Sequence, residues 1–399
     1  MGEWKNCTLS SLGTIVGGAT PSTKKPENYE GGEIPWITPK DLSGFSGRYI
    51  SCGERNITEI GLKSCSAQMM PKHSVLFSSR APIGYVAISD CDVCTNQGFK
   101  SIVPNKDTDY LFLYYLLLYK KHEIENLGSG TTFKEVSAST MKGIEVRVPI
   151  DKREQERIAG ILSALDDKIE SNAHINENLL QQAIALFDNA LQQSESISFV
   201  ELGSLADVKG GKRLPKGVNL ITKPNSHPYI RVRDLNNVIF ASLSSDYAYV
   251  DDETQKSIAR YITSAGDVLV SIVGTIGLTA IVDDTLANAN LTENCVKLTN
   301  LKGITPEYLL LFLRSKEGIE AINKGTVGAV QLKLPIKNIQ SIPVPLLLPI
   351  EMQALDDILS VIFNRISTNV IEVKMLSELR DTLLPKLISG ELSVSKINY

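Results

Sequence analysis

The chain has 399 residues, 43% hydrophobic and 22% charged, the balance of a folded protein with two or three domains, which excludes wholesale disorder. Its net charge of −4 speaks against a uniformly basic nucleic-acid binder. The longest apolar run, residues 111–119, is too short to span a bilayer. The opening MGEWKNCTLSSLG lacks the basic and then apolar regions of a signal peptide, so a cytoplasmic protein is expected.

The charge is unevenly distributed. Residues 1–150 and 201–345 together carry +3, whereas residues 151–200 and 346–399 together carry −7. Acidity therefore sits on two segments that read as helices, and the remaining segments are free to meet an anionic partner. Six cysteines in a protein expected in the cytoplasm do not propose a disulfide framework. Cys91 and Cys94 form a lone CxxC, with Cys52 and Cys65 upstream. Their spacing is not that of a zinc knuckle, and reduced thiols are expected.

In chain order, residues 9–26 (LSSLGTIVGGATPSTKKP) read as an apolar start followed by an irregular loop. IPWITPKDL at 34–42 alternates as a strand does. HSVLFSSRAPIGYVAIS at 73–89 reads as strand, turn, strand, with Pro82 and Gly84 at the bend. A helix at 110–122 follows, then the polar loop GSGTTFKEVS at 128–137 and a closing strand, IEVRVP, at 144–149. Pro149 ends that strand, and a long helix begins just beyond it.

That helix, 151 to about 193, carries Ile158, Leu162, Leu165, Ile169, Asn172, Asn176, Leu179, Ala183, Leu186 and Ala190. Their alternating steps of four and three are the heptad seam of a coiled coil. Shifted by 197 positions, a second helix from 350 to about 389 gives Leu355, Leu359, Ile362, Ile366, Asn369, Val373, Leu376, Arg380, Leu383 and Leu387. Asn172 thus maps onto Asn369. A buried Asn in an apolar seam fixes register against a polar partner, and in an antiparallel pair the two are expected to face each other.

Everything between the helices repeats as well. LGSLADVKGGKRLPKG at 202–217, HPYIRVRDL at 227–235, GDVLVSIVGTIGLTAIV at 266–282, a helix at 306–315, NKGTVGAVQ at 323–331 and IQSIPVP at 339–345 follow the order of the first half. The strand–turn–strand motif lies at an offset of 193, so Gly84 pairs with Gly277. The fold class expected is α+β: two repeated domains, 1–150 and 201–345, joined by two long antiparallel coiled-coil helices in the segments 151–200 and 346–399, with a pseudo-two-fold relation. Two units of this size are too few and too large for a solenoid.

Catalytic signatures are missing. There is no GxxxxGK[ST] phosphate loop, no paired zinc histidines and no GxSxG elbow. Nor is there an Asn-Pro-Pro-aromatic or Asp-Pro-Pro-aromatic tetrapeptide for methyl transfer to a flipped base, or a Pro-Asp dipeptide for a nuclease carboxylate site.

What recurs is polar chemistry at strand ends. Thr38, Lys40 and Asp41 stand where the second half has Arg231, Arg233 and Asp234. Ser78, Ser79 and Arg80 stand where it has Ser271, Ile272 and Val273. The apolar frame is kept while these side chains change, as expected of one fold reading two ligands. Arg and Lys donate to guanine edges and phosphates, while Ser and Thr serve other edges. The candidate DNA-binding residues are therefore Lys24, Lys25, Thr38, Lys40, Ser79, Arg80, Lys212, Arg213, Lys216, Arg231 and Arg233. The glycine loops add Ser129, Thr131, Lys134, Lys324 and Thr326, whose backbone N–H groups suit phosphate. Asp41 and Asp234, kept in both halves, read as structural turn caps, and the same loops read equally as plain turns.

With the repeat, the two strands IPWITPKDL and HPYIRVRDL, the closings IEVRVP and SIPVP, the helix start at Glu154 and Gln155, and LSELRDTLLPKLISGEL at 376–392, the chain resembles the specificity (S) subunits of type I restriction–modification enzymes over essentially its whole length. Two features depart from the pattern: LLQQAIALFDNAL at 179–191 has drifted from its counterpart, and Met352 replaces Gln155, so a helix-cap role for that glutamine does not carry over. The resemblance implies a non-catalytic subunit with two target recognition domains, one per half of a bipartite double-stranded DNA target. The helices would act as a ruler; about 40 residues at 1.5 Å each give roughly 60 Å, suiting half-sites about one DNA turn apart, near 34–36 Å. It further implies two methyltransferase (modification) subunits and motor–nuclease (restriction) subunits as partners. S-adenosylmethionine, ATP and magnesium would belong to those partners, with no cofactor or metal in this chain. A stand-alone DNA methyltransferase or nuclease with degenerate motifs, and a protein scaffold without a DNA role, are the alternatives left open.

Overall fold

Two units make up the chain, Met1–Ser171 with Met375–Tyr399, and Asn172–Lys374. The computed structural model describes residues 3–45, 47–130, 134–329 and 331–394.

The first unit contains β1 (Trp4–Thr8), β2 (Gly13–Gly17), β3 (Ile34–Ile37), β4 (Tyr49–Ile50), β5 (Arg55–Ile57), α1 (Glu59–Lys63), β6 (Val75–Ser79), β7 (Ile83–Ser89), β8 (Cys94–Thr95), β9 (Lys100–Pro104), α2 (Tyr110–Asn126), α3 (Ala138–Gly143), β10 (Glu145–Pro149) and the start of α4 (Lys152–Gln193). Its strands form sheets ordered β2-β9-β6-β7-β4, β5-β3-β8 and β1-β10. β6, VLFSS, is buried at every position because it lies inside the larger sheet with α2 packed on it. The helix α2 is buried along Phe112–Leu117, and Asp109 caps it by accepting from the Phe112 N–H at 2.8 Å.

The second unit takes the rest of α4, then β11 (Ser198–Glu201), α5 (Leu202–Leu205), β12 (Asp207–Gly210), β13 (Pro228–Ile230), β14 (Phe240–Ala241), β15 (Ala248–Tyr249), α6 (Asp252–Ile258), β16 (Val268–Ser271), β17 (Thr279–Val282), β18 (Asn290–Leu291), β19 (Cys295–Thr299), α7 (Pro306–Arg314), α8 (Lys316–Gly325), α9 (Ile336–Gln340), β20 (Pro343–Leu346) and most of α10 (Pro349–Ile388). Its sheets are ordered β12-β19-β16-β17-β14, β15-β13-β18 and β11-β20. Each strand of the first unit has its counterpart ten labels later, so the repeat is complete at the level of topology. Gly84 and Gly277 take the same left-handed conformation, φ 97° and 86°, which the paired turns require. Ser78 and Ser271 also do one job: each hydroxyl donates to a turn carbonyl four residues on and accepts from a backbone N–H seven residues on.

Residues 9–26 are not wholly irregular. Within them Gly13–Gly17 is a strand, paired antiparallel to β9. A glycine-bounded segment of five residues carries little local strand signal, and its partner about 90 positions away decides its conformation. The second half differs in one further respect. The helix expected at 306–315 is α7, and a further helix, α8, follows it directly, because Ser315 ends the first and its side chain caps the second, accepting from Gly318 N–H at 3.1 Å.

The two long helices run antiparallel. In the first unit Ile158 and Leu162 share a core with Leu387 and Ile388, and Arg380 Nη1 donates to Asp166 at 2.8 Å. In the second, Ala183 and Phe187 share a core with Leu355, Leu359 and Phe363. Numbering thus rises along α4 as it falls along α10, and no seam residue is exposed. Asn172 and Asn369 are both fully buried, but they do not face each other. Asn172 Nδ2 donates to Glu372 at 2.8 Å and Asn369 Nδ2 donates to Asn176 at 2.8 Å. The stagger of the pair sets each Asn opposite a residue about one turn from its counterpart. Among the described residues no helix is long and apolar enough to cross a membrane.

Each sheet domain seats on the helices through chemistry that differs between the units. In the first, Arg48 is 5% exposed and donates to Ser163 Oγ at 3.0 Å, to Glu170 at 2.9 Å and to Asp167. Burial works against its charge, yet the hydrogen bonds it donates to Glu170 and Asp167 outweigh that and hold the guanidinium above its ordinary pKa. Tyr115 donates to the second oxygen of Asp166 at 2.6 Å, and burial with that carboxylate raises its hydroxyl pKa. Gln155, 2% exposed, accepts from Asp109 N–H and donates to Pro149 O, both at 3.0 Å. It ties the helix start to the domain rather than capping its own helix.

The equivalent positions in the second unit are apolar. Ile239 offers its carbonyl to Ile281 as Arg48 does to Ile88. Phe363 and Ala183 replace Asp166 and Arg380, and Met352 replaces Gln155. Counted from the helix caps Asp109 and Thr305, Leu311 replaces Tyr115. A polar tie joins Thr305 to Asp356 at 2.9 Å. Asp166→Ala leaves Tyr115 and Arg380 without their shared acceptor, and because Arg380 is 30% exposed the expected loss is about 2–3 kcal/mol by urea denaturation. Asp166→Phe with Arg380→Ala and Tyr115→Leu, which copies the second unit at these three positions, should cost less than Asp166→Ala alone. A larger loss in the triple variant would show that the two joints are not interchangeable in packing.

Candidate nucleic-acid interface

Backbone hydrogen bonds bring the separate loops of the first unit to one end of its sheets. Asn96 N–H donates to Ile37 O at 3.0 Å, Ser79 N–H to Gly98 O at 2.7 Å, Val136 N–H to Ser79 O at 3.0 Å, and Ala19 N–H to Thr95 O at 3.0 Å. Isolated bridges join Glu135 to Arg80 and to Ser129. The segments holding Lys24, Lys25, Thr38, Lys40, Ser79, Arg80, Ser129 and Lys134 are thereby brought together, while Thr131 lies outside the described residues.

These residues divide into committed and available groups. Asp41 is the turn cap expected, accepting from Thr38 N–H, Thr38 Oγ1 and Glu54 N–H, each at 2.7 Å. Thr38 is consequently spent on closing the turn. Ser79 is fully buried with its hydroxyl on Gly98 O at 3.2 Å. It belongs to the frame, because alternation turns it away from the loop surface. Arg80 and Lys100 flank Glu135 at 3.6 and 3.2 Å. Lys40 pairs with Glu54 at 2.6 Å in solvent, and that hydrogen bond raises its pKa. Lys24, Lys25, Ser129 and Lys134 are exposed. Sequence reasoning missed Lys100, Thr20 and Gln97, the last two hydrogen-bonded to each other at this end. Only the strand pairing shows that they lie there.

The second unit builds the same frame. Thr292 N–H donates to Ile230 O at 3.1 Å, Ile272 N–H to Asn294 O at 2.7 Å, Leu334 N–H to Ile272 O at 3.0 Å, and Lys212 N–H to Leu291 O at 2.8 Å. A cleft of about 550 Å³ opens here, with Arg213, Arg231, Arg233, Tyr229 and Thr292 among its walls. A neighbouring cleft of about 460 Å³ shares Val232 and Asn294 with it and adds Val273, Gly274, Gln331 and Leu332.

Here too the charges divide. Arg231 is bidentate on Asp234, at 2.9 Å to each oxygen, and that carboxylate raises its pKa. Its role is to close the turn that Asp234 caps. Arg233 is 65% exposed and 3.6 Å from Asp234. Arg213 lies 3.4 Å from Glu293, Lys212 stacks over the Tyr261 ring at 5.4 Å, and Lys216 is exposed. Lys324 and Thr326 are placed differently. Thr326 Oγ1 donates to Ile322 O at 2.8 Å, closing the last turn of α8. Lys324 lines an apolar cavity of about 650 Å³ with Leu191, Phe199 and Phe312.

The thiols take backbone partners: Cys91 donates to Ser51 O at 3.1 Å and Cys94 to Pro35 O at 3.5 Å. Burial pushes the Cys94 and Cys295 thiols up to about 12, which makes them poor nucleophiles. Among the described residues no three His, Cys, Asp or Glu side chains gather as a metal ion would need.

Comparison with known proteins agrees with this duplicated architecture. The family described as type I restriction modification DNA specificity domain matches residues 1–181 and again 195–374. The MjaIX specificity subunit of a type I restriction enzyme from Methanocaldococcus jannaschii is 32% identical over 99% of this chain and 95% of its own length. The EcoR124I/EcoR124II specificity subunit of Escherichia coli is 30% identical over 41% of each chain. The crystal structure of a type I system S subunit from M. genitalium, 20% identical, shares the fold with a TM-score of 0.58, covering 97% of this chain and 96% of that one. Two family matches in tandem, together with a relative similar from end to end, place this chain in the type I restriction–modification DNA specificity family.

Proposed function

We propose that the chain is the non-catalytic DNA-reading subunit of a type I restriction–modification enzyme, with each recognition domain reading one half of a bipartite target. The observation that carries this is a loop frame built twice by matching backbone bonds, Ser79 to Gly98 and Ile272 to Asn294, on which the displayed side chains differ. A shared scaffold with unlike polar faces is what two different base sequences demand. In this reading residues 1–150 and 201–345 are the recognition domains, and 151–200 and 346–399 are helical spacers. Two methyltransferase subunits and the motor–nuclease subunits dock on the chain, and they bring S-adenosylmethionine, ATP and magnesium. The acidic helices suit partners with basic docking faces.

Exchanging residues 1–150 for the corresponding domain of a relative should change one half of the methylated motif and leave the other intact. Sequencing of methylated genomic sites reads this directly, and two unchanged halves would sink the proposal. Lys24→Ala with Lys25→Ala should weaken duplex binding about equally for all sequences. It should also reduce the slope of log affinity against log salt by roughly 2. An unaltered slope removes both lysines from the phosphate track.

A further inference from the structure

The loop end of the second unit holds two side-chain amides that neither capping nor ion pairing consumes. Asn294 and Gln331 line the same cleft. Asn294 is half-buried and Gln331 exposed, and neither side chain has a hydrogen-bond partner among the described residues. The Asn294 backbone is nevertheless fixed, and Gln331 stands two residues before a bonded run. Asn294 O accepts from Ile272 N–H at 2.7 Å, and the strand-like run after Gln331 is held by the Val273–Lys333 and Val327–Lys333 bridges and by Leu334 N–H on Ile272 O at 3.0 Å. Unspent donors and acceptors on a rigid frame are what base reading needs, whereas the neighbouring Arg231 is closed by Asp234 on both oxygens. Arg233, 65% exposed, stands beside the cleft for phosphate or a guanine edge.

We propose that Asn294 and Gln331 read base edges for the second recognition domain, each selecting an A·T pair through its carboxamide. A carboxamide donates and accepts in one plane and so matches the N6 and N7 pair of adenine in the major groove. The proposal rests on the DNA-reading function above and adds which side chains specify and for which base. It is confined to one half-site. The position equivalent to Asn294 in the first unit is Gly98, where an added Cβ would lie 2.8 Å from Pro39 Cγ, so a side chain there would displace the proline ring.

The test selects bound duplexes from a randomised pool with the full chain assembled with its modification subunits, comparing wild type with Asn294→Ala, Gln331→Ala and Gln331→Glu. The alanine variants should each relax one A·T position in one half-motif, losing roughly 10- to 100-fold discrimination, while the other half-motif persists and reports an intact fold. Gln331→Glu, at an exposed position that leaves the frame untouched, should move preference from adenine towards cytosine, whose N4 donates to a carboxylate. DNA bound with both half-motifs unchanged in all three variants overturns this assignment. A wild-type chain that selects no motif overturns the DNA-reading function itself, which is a separate result.

Discussion

Burial of apolar surface along the antiparallel helix pair is the constraint from which the rest follows. The first unit is not closed by its own contiguous sequence. Leu387, Ile388 and Val394 complete the core that Leu9, Phe77, Phe112 and Ile158 begin. A core of that kind holds only if the two helices keep one direction and one register, and the seam provides both. Apolar residues supply most of the burial, while Asn172 with Glu372 and Asn369 with Asn176 penalise any slip, because a shifted helix would leave buried amides without partners. Each sheet domain therefore packs on its own stretch of the helix pair, and its loops can vary without disturbing that core.

The joints between domain and helix show how one architecture tolerates two chemistries. In the first unit Tyr115 and Arg380 share Asp166, Arg48 bonds Ser163, Asp167 and Glu170, and Gln155 bonds Asp109 and Pro149, where Ile239, Leu311, Met352, Phe363 and Ala183 pack in the second. Fully satisfied polar clusters and well-packed apolar ones are close in stability when either is complete. Mixed joints are not, since one missing partner leaves a buried group unpaired. A domain must accordingly arrive with the residues that its own helix expects.

Much of this was legible in the chain. The heptad seams located both long helices to within two residues, since a 3.5-residue period sustained over about 40 residues admits no other element. The offset of 193 to 197 exposed the duplication, and the Asp41 and Asp234 caps followed from their retention in both copies. Local signals failed where distant pairing decides conformation. The strand at Gly13–Gly17 and the burial of Ser79 are set by β9 and by Gly98. Nor does a sequence tell a free arginine from a spent one: Arg231 and Arg233 are two positions apart, yet one is locked by a carboxylate and the other reaches solvent. The amides at 294 and 331 look like ordinary loop residues until the backbone bonds bring their segments to one cleft.

The discontinuous make-up of the first unit has a consequence for biosynthesis. Domains generally mature in the order in which they emerge from the ribosome, but here the amino-terminal one waits for the carboxyl-terminal turns of α10, while Asn172–Lys374 is contiguous. The second reader is whole before the first, and a polypeptide interrupted near residue 374 would lack the Leu387, Ile388 and Val394 side chains of the first unit's core. The apolar surface that those three cover would then face water.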